Sequence, residues 1–242
     1  MIRLKKSAVL ALVALPVVLC LLLTGCKDNT DSTQVAFNYE YYPLDSGKYV
    51  VYQVDSISSY RQDFKKDTVS YQLMELIGDT FYDNQNELNY EIDLYRRPNS
   101  SSPWSYDRKW YVKRTATNIQ KVEDDIRFIK LVFPAKEDES WNGNIFIPAS
   151  ADPYGDFENW DYHYTAVDVP ATINGFNLDS TLEVSGIKDE NFIKRRLFKE
   201  TYAKHIGMVY REWDIQTGSG INFWEGPQWN GFKIKMQLID HN

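Results

Sequence analysis

Strict alternation of apolar and polar side chains is the feature that most limits how this chain can fold. In the stretch GFKIKMQLID, apolar residues occupy every second position from Phe232 to Leu238, and lysine or glutamine stands between them. Successive side chains of a β-strand point to opposite faces, so this pattern predicts a strand with one dry and one wet face. The stretches KYVVYQVDSI and GMVYREWDI repeat it, and in the latter Val209 and Trp213 share a face with Arg211 between them.

Turn residues separate these stretches from one another and from other strand-like runs. The turn signals are Gly78-Asp79, Pro98-Asn99-Ser100, Asn142-Gly143, Asn174-Gly175 and Gly218-Ser219-Gly220. A succession of strands and turns without helical periodicity predicts a single antiparallel β domain, built as a curved sheet, a half-barrel or a sandwich. Residues 192–205 fit a helical stripe as well as a strand, and residues 148–163 are predicted to form a long surface loop.

The first 25 residues have a different character, which is typical of a secretory signal peptide. Three cationic residues, Arg3, Lys5 and Lys6, precede an apolar core from Ala8 to Leu23. As a helix this core would reach roughly 24 Å at about 1.5 Å per residue, which is short of the roughly 30 Å of a bilayer's hydrocarbon core. The pattern therefore predicts a segment 1–25 that is removed rather than a membrane span.

The apolar core ends in Leu23-Thr24-Gly25-Cys26, which resembles the bacterial lipobox. The resemblance implies that the Cys26 thiol is alkylated with diacylglycerol and that the signal is cut just before it. Membrane lipid then becomes a partner of the chain through acylated Cys26. Residues 26–37 are interpreted as a lipid-anchored flexible tether, and residues 38–242 as the β-rich domain. With Cys20 removed and Cys26 lipidated, no thiol is left for a disulfide.

Two further stretches resemble one protein family. YYPLDSGKYVVYQVDS follows the tether, and ETYAKHIGMVYRE lies near the other end of the chain. Both are similar to segments shared by uncharacterised envelope lipoproteins of Bacteroidota-type bacteria. The resemblance implies a β-rich domain in the cell envelope and implies no particular activity. Because Lys27 rather than an aspartate follows the cysteine, we expect a location in the outer membrane, with the periplasmic and surface-exposed faces left open.

Charge and motifs argue against several classes of function. The formal net charge is −7 and becomes more negative when the cationic signal is removed, so nucleic acid is not an expected partner. The histidines His163, His205 and His241 lack the spacing of metal ligands, and the sequence contains neither a serine-hydrolase elbow nor a phosphate-binding glycine loop. We therefore expect no metal, no cofactor and no enzymatic activity, and a glycosidase built on Glu212 and Glu225 is the weaker alternative.

The tryptophans suggest a binding role instead. Trp224 and Trp229 flank a Gly-Pro turn in NFWEGPQWNG, and Trp160 lies in the acidic stretch DPYGDFENWDYHY, for which calcium binding is a further alternative. Exposed indoles can stack on sugar rings, so these three residues are predicted contacts for a glycan or another ligand. The leading hypothesis is a non-enzymatic binding module for an apolar ligand or an envelope protein on a concave sheet face. The alternative is a glycan-binding accessory protein of the cell envelope.

Overall fold

Twelve β-strands make up nearly all of the regular structure. The computed structural model describes residues 37–60, 65–148, 157, 160–218 and 229–242. Within these ranges the elements are a 3-10 helix (Tyr39–Tyr41) and strands β1 (Tyr49–Tyr60), β2 (Lys65–Tyr82), β3 (Leu88–Arg97), β4 (Ser105–Arg114), β5 (Asn118–Glu123), β6 (Ile126–Val132), β7 (Ser140–Asn142), β8 (Asp161–Ile173), β9 (Phe176–Glu190), β10 (Lys194–Ala203), β11 (Gly207–Gly218) and β12 (Trp229–His241). No helix in this described part of the chain has the length and apolar character needed to cross a bilayer.

All twelve strands belong to one antiparallel sheet. Strands β1 to β6 pair with one another in sequence order, as do strands β7 to β12, and β1 also pairs with β12. The order across the sheet is therefore β6-β5-β4-β3-β2-β1-β12-β11-β10-β9-β8-β7. The prediction of a single antiparallel β domain is confirmed, in the form of one curved sheet rather than two stacked sheets.

The two edges of the sheet, β6 and β7, approach each other and nearly close the curve. The Ile129 amide donates a hydrogen bond to the Gly143 carbonyl at 2.8 Å, and Trp141 Nε1 donates to the Ile129 carbonyl at 2.9 Å. One strand further in, Tyr164 Oη accepts a hydrogen bond from the Val132 amide at 2.9 Å and donates to the Val132 carbonyl at 2.7 Å. One backbone hydrogen bond and the side chains of Trp141 and Tyr164 thus satisfy edge groups that a paired strand would otherwise satisfy.

The alternation in the sequence separates the inside of this curve from its outside. In β12, Met236 and Leu238 are buried and Ile234 packs against the core. In β1, Tyr52 and Val54 are almost fully buried. The predicted dry faces are therefore confirmed, and they line a common interior. Burial of this apolar surface is the main driving force for folding the sheet.

The two ends of the curved sheet differ. The 3-10 helix lies across one of them, called the closed end, where Tyr39 Oη donates a hydrogen bond to the Ala116 carbonyl at 2.8 Å. From the same helix, Tyr41 Oη donates to Asp168 Oδ1 on β8 at 2.7 Å. The turns that join β3 to β4, β5 to β6 and β9 to β10 lie at the opposite end, called the open end because no helix of the described residues lies across it. Residues 37–48, which precede β1 in the described chain, therefore cover the closed end.

The turn predicted at Gly78-Asp79 is wrong. Both residues lie inside β2, where the pairing with β3 shifts register between Ile77 and Thr80. Glycine and aspartate suit a β-bulge as well as a turn, and the non-local pairing with β3 decides between the two. The turn predicted at Asn174-Gly175 is confirmed, because their positive φ angles of 49° and 86° fit a two-residue hairpin between β8 and β9.

The ambiguous stretch 192–205 is mainly resolved by the structure, and the surface loop predicted at residues 148–163 is wrong for the part that the structure describes. Residues 192–205 are mainly strand, because β10 covers Lys194–Ala203. Residues 149–156, 158 and 159 of the predicted surface loop lie outside the described residues, but Trp160 is fully buried and Asp161 begins β8, so a surface loop is wrong for that part. The predicted signal, Cys26 and all of the tether except Phe37 also lie outside the described residues.

Candidate functional site

A cluster of charged side chains lies inside the curved sheet. Its members share near-complete burial and opposite charges in equal number: Glu75, Glu123 and Glu200 against Lys121, Lys130 and Arg211. Charged side chains are rarely buried in this way unless they are paired, because removing an ion from water is costly. Whether these buried charges are compatible with a stable fold therefore depends on how they pair with one another.

Arg211 is the centre of the charge cluster. Its guanidinium binds Glu123 with two hydrogen bonds, from Nη2 to Oε1 at 2.7 Å and from Nη1 to Oε2 at 3.1 Å. Its Nε donates to Glu200 Oε1 at 2.7 Å. The planar guanidinium suits such fork-like contacts, which are among the stronger hydrogen bonds in proteins. Arg211 lies on the apolar face of β11 because its partners meet it there.

The two lysines complete the charge cluster. Lys121 Nζ lies 3.0 and 2.9 Å from the two carboxylate oxygens of Glu75, and 3.3 Å from Glu123 Oε1. Lys130 Nζ lies 2.8 Å from Glu200 Oε1. Four strands, β2, β5, β6 and β10, thus contribute charges to the cluster, and those of β5 and β10 contact Arg211 of β11 directly. The charge cluster holds opposite walls of the curve together.

The pKa values follow from this pairing. Burial alone would raise the pKa of Glu123, but Arg211 and Lys130 outweigh it and hold that pKa well below its usual value. The pKa of Glu200 is lowered in the same way, with Lys130 and Arg211 outweighing burial. Burial lowers the pKa of Lys130, with a further contribution from Arg211. Neither glutamate therefore has the raised pKa that a buried general acid requires.

A cavity of about 220 Å³ extends from the charge cluster toward the open end. Glu123 and Arg211 form its floor. Its walls are mainly aliphatic and aromatic, with contributions from Leu73, Leu94, Trp110, Phe128, Trp213, Ile234 and Met236. Each wall residue takes an inward position of its strand, which is why alternation produces a continuous apolar lining. Binding sites for small molecules commonly combine such walls with a few polar groups.

Charged residues form the mouth of this cavity. Arg108 pairs through Nη1 with Asp124 Oδ1 at 2.8 Å and through Nε with Asp107 Oδ2 at 3.0 Å. Trp110 Nε1 donates to the same Asp124 oxygen at 3.2 Å, which fixes the indole in the wall. Arg96 also lines the mouth. The site therefore has a polar rim, apolar walls and an ion-paired floor.

The structure corrects the expectation that the predicted tryptophans are exposed. Trp160 is fully buried, with its ring centroid 5.6 Å from that of Phe198 and 6.3 Å from that of Tyr162. Trp229 is 2% exposed. Neither indole presents a face on which a sugar could stack. Trp160 continues the inward alternation of β8, which places its large apolar ring in the core. Trp224 lies outside the described residues.

The residues behind the weaker alternatives, a glycosidase and a calcium site, are described only in part. Glu212, half-buried on β11, is bound by Lys233 at 2.8 Å and by Tyr210 Oη at 3.0 Å, and Glu225 lies outside the described residues. Within the described part of the chain, no three histidine, cysteine or acidic side chains are grouped as metal ligands. Of the acidic loop, Asp161 is exposed at the start of β8.

Sequence reasoning missed five of the six residues of the charge cluster. The signal in the sequence was a charged residue at a strand position that alternation assigns to the apolar face. Glu75 lies two residues from both Leu73 and Ile77, and Lys121 and Glu123 lie two and four residues after the buried Ile119 of β5. On a strand with one dry face, a charge at such a position indicates a buried partner.

Comparison with known proteins assigns no function to the site. No protein-family model, no curated protein and no solved structure matches the chain. Function is therefore argued from the geometry and chemistry of the site rather than from the fold.

Proposed function

We propose that this chain is a lipid-anchored, non-enzymatic binding protein of the bacterial outer membrane, and that the cavity at the open end receives an apolar ligand. The apolar walls of that cavity, closed below by Glu123 and Arg211, are the observation that carries the proposal. The lipobox-like segment ending at Cys26 supports the anchor. Phe37, where the described chain begins, is near the closed end, so the cavity mouth is at the other end of the domain from Phe37.

The volume of the cavity limits what it can receive. An apolar cavity of about 150 Å³ can bind benzene, whereas pockets for drug-sized ligands span about 300–1,000 Å³. At about 30 Å³ per water-sized group, the cavity of about 220 Å³ takes about seven such groups. The proposal is therefore that a small apolar molecule, or the end of a longer chain, enters it.

The floor of the cavity sets the depth of entry. The Glu123 carboxylate already accepts two hydrogen bonds from Arg211 and lies 3.3 Å from Lys121 Nζ. A ligand that pushed further would have to separate buried charges, which costs several kcal/mol. The polar groups of the floor are thus already hydrogen-bonded to one another. The floor limits how deeply an apolar chain can enter, and it offers that chain no favourable contact.

The expected affinity is modest. Each methylene moved from water into the cavity contributes about 0.8 kcal/mol, so about seven contribute about 6 kcal/mol. That corresponds to a dissociation constant on the order of 10–100 μM. Octan-1-ol is a suitable probe because its chain matches this size and it carries no charge.

Filling the cavity is expected to weaken the binding of octan-1-ol. Ile234→Trp adds an indole at a half-buried wall position, and we expect the dissociation constant measured by isothermal titration calorimetry to rise at least about tenfold. Leu76→Trp is the matched control, because Leu76 is half-buried on β2 but has the opposite parity to the inward Leu73 and Glu75. Equal affinities of Ile234→Trp and native protein, or no octanol binding by the native protein at millimolar concentration, would contradict the proposal.

The alternative function, a glycan-binding accessory protein, has less support. Two of its three predicted contacts, Trp160 and Trp229, are buried. The binding proposal therefore rests on the apolar cavity rather than on a tryptophan platform.

A further inference from the structure

A groove adjoins the cavity at the open end. It measures about 440 Å³ and is formed by the ends of β2, β3 and β4, including the exposed side chains of Val69 and Tyr106. Tyr71, Arg96 and Asp107 line both the groove and the cavity. These three residues therefore stand where the two spaces meet, so a molecule whose apolar end occupied the cavity would place its other end beside them.

Arg96 is the cation at this junction. Its guanidinium carbon lies 3.6 Å from the centre of the Tyr71 ring, a stacked arrangement that leaves the N–H groups at the edge of the plane available. The other two arginines of the cavity are engaged, Arg108 with two aspartates and Arg211 with two glutamates. Among the described residues, no carboxylate forms an ion pair with Arg96.

An anionic head group fits this junction better than a neutral or cationic one. A carboxylate matches the fork of guanidinium N–H donors in geometry as well as in charge. The nearby Asp107 is already bound by Arg108 at 3.0 Å, so it is partly neutralised. Tyr71 supplies an apolar ring surface beside the cation. Apolar walls leading to an arginine that has no ion-pair partner among the described residues are the pattern expected for an amphiphile with one negative charge.

We propose that the cavity and the groove together bind a straight-chain carboxylate, with the apolar end in the cavity and the carboxylate paired with Arg96. This inference rests on the proposed function, because it requires that the cavity receive an apolar chain. It adds the chemical class of the ligand and assigns Arg96 as the residue that selects the head group.

Three probes with the same eight-carbon chain test the inference: octanoate, octan-1-ol and octylammonium. We expect native protein to bind octanoate about three- to tenfold more tightly than octan-1-ol, and octylammonium most weakly. Arg96→Gln is expected to abolish the preference, so that octanoate and octan-1-ol bind with equal affinity, whereas a structural role would preserve the ratio between the two affinities. A merely structural role of Arg96 would weaken all three probes together, so that result would overturn the assignment.

Arg114→Gln is the matched control. Arg114 is an exposed arginine that also stacks on a tyrosine, with its guanidinium carbon 5.0 Å from the Tyr39 ring centre, but it lies at the closed end. We expect it to leave the affinities for all three probes unchanged. Native protein that binds octan-1-ol as tightly as octanoate would contradict the inference and leave the proposed function standing. Native protein that binds neither would contradict both.

Discussion

Replacing Arg211 with methionine is expected to lower the free energy of unfolding by about 3–5 kcal/mol. Methionine fills a similar volume, but it leaves Glu123 without its two guanidinium hydrogen bonds and Glu200 without one. Breaking one partner out of a buried ion pair is costly because the charge that stays has already lost its water. The loss would be a large part of the roughly 5–15 kcal/mol that stabilises a typical domain.

Urea denaturation monitored by tryptophan fluorescence measures this loss. The matched control is Arg108→Met, because Arg108 also has two carboxylate partners but its side chain is 48% exposed. An exposed ion pair contributes less than about 1 kcal/mol, so the control should change little. Adding Glu123→Gln to Arg211→Met should recover part of the lost stability by removing one unpaired charge. Equal effects of Arg211→Met and Arg108→Met would contradict the structural role given to the charge cluster.

Truncating Trp160 to alanine is expected to destabilise the domain by about 3–5 kcal/mol. Trp160 is fully buried, and its ring packs against those of Phe198 and Trp213 with centroid separations of 5.6 and 6.2 Å. Alanine would leave a cavity at the centre of this aromatic group, and the neighbouring strands could close it only in part.

Trp104→Ala is the comparison for that measurement. Trp104 is half-buried in the turn between β3 and β4, where Arg97 stacks on it at 4.1 Å. Its loss should cost about 1 kcal/mol or less, since exposed cation–π contacts contribute about 0.5–1 kcal/mol. A thermal or urea transition in which Trp160→Ala is no more destabilising than Trp104→Ala would contradict the placement of Trp160 in the core.

Much of the fold follows from alternation, because burial on one face of a strand is a local property that the sequence records directly. Strands β1 and β12 are predictable because apolar residues alternate with polar ones around Val54 and Met236. Closure of the sheet is not predictable in this way, since it depends on Ile129 meeting Gly143 across the two edges. The bulge at Gly78-Asp79 shows the same limit, because a turn and a bulge use the same residues and only pairing with β3 distinguishes them.

The candidate site was harder to foresee than the fold. The inward parity of Arg211 is visible in the sequence, but its partners Glu123 and Glu200 belong to β5 and β10, which meet β11 only when the sheet curves. The tryptophans misled for a related reason: Trp160 stands beside turn-forming residues in the sequence, yet it has the parity of the inward Tyr162. Local composition suggested an exposed loop, and long-range packing placed the ring inside.

The central claim is that the cavity at the open end binds an apolar chain. NMR of the methionine methyl groups tests this claim most directly. Met236 lines the cavity, Met74 is half-buried on β2 with outward parity, and Met208 lies at the closed end beside a space of only about 30 Å³. In a titration of methyl-¹³C-methionine-labelled protein with octan-1-ol, the Met236 resonance should shift and saturate while those of Met74 and Met208 stay in place. A Met236 resonance that does not move, or shifts of equal size at all three residues, would contradict the claim.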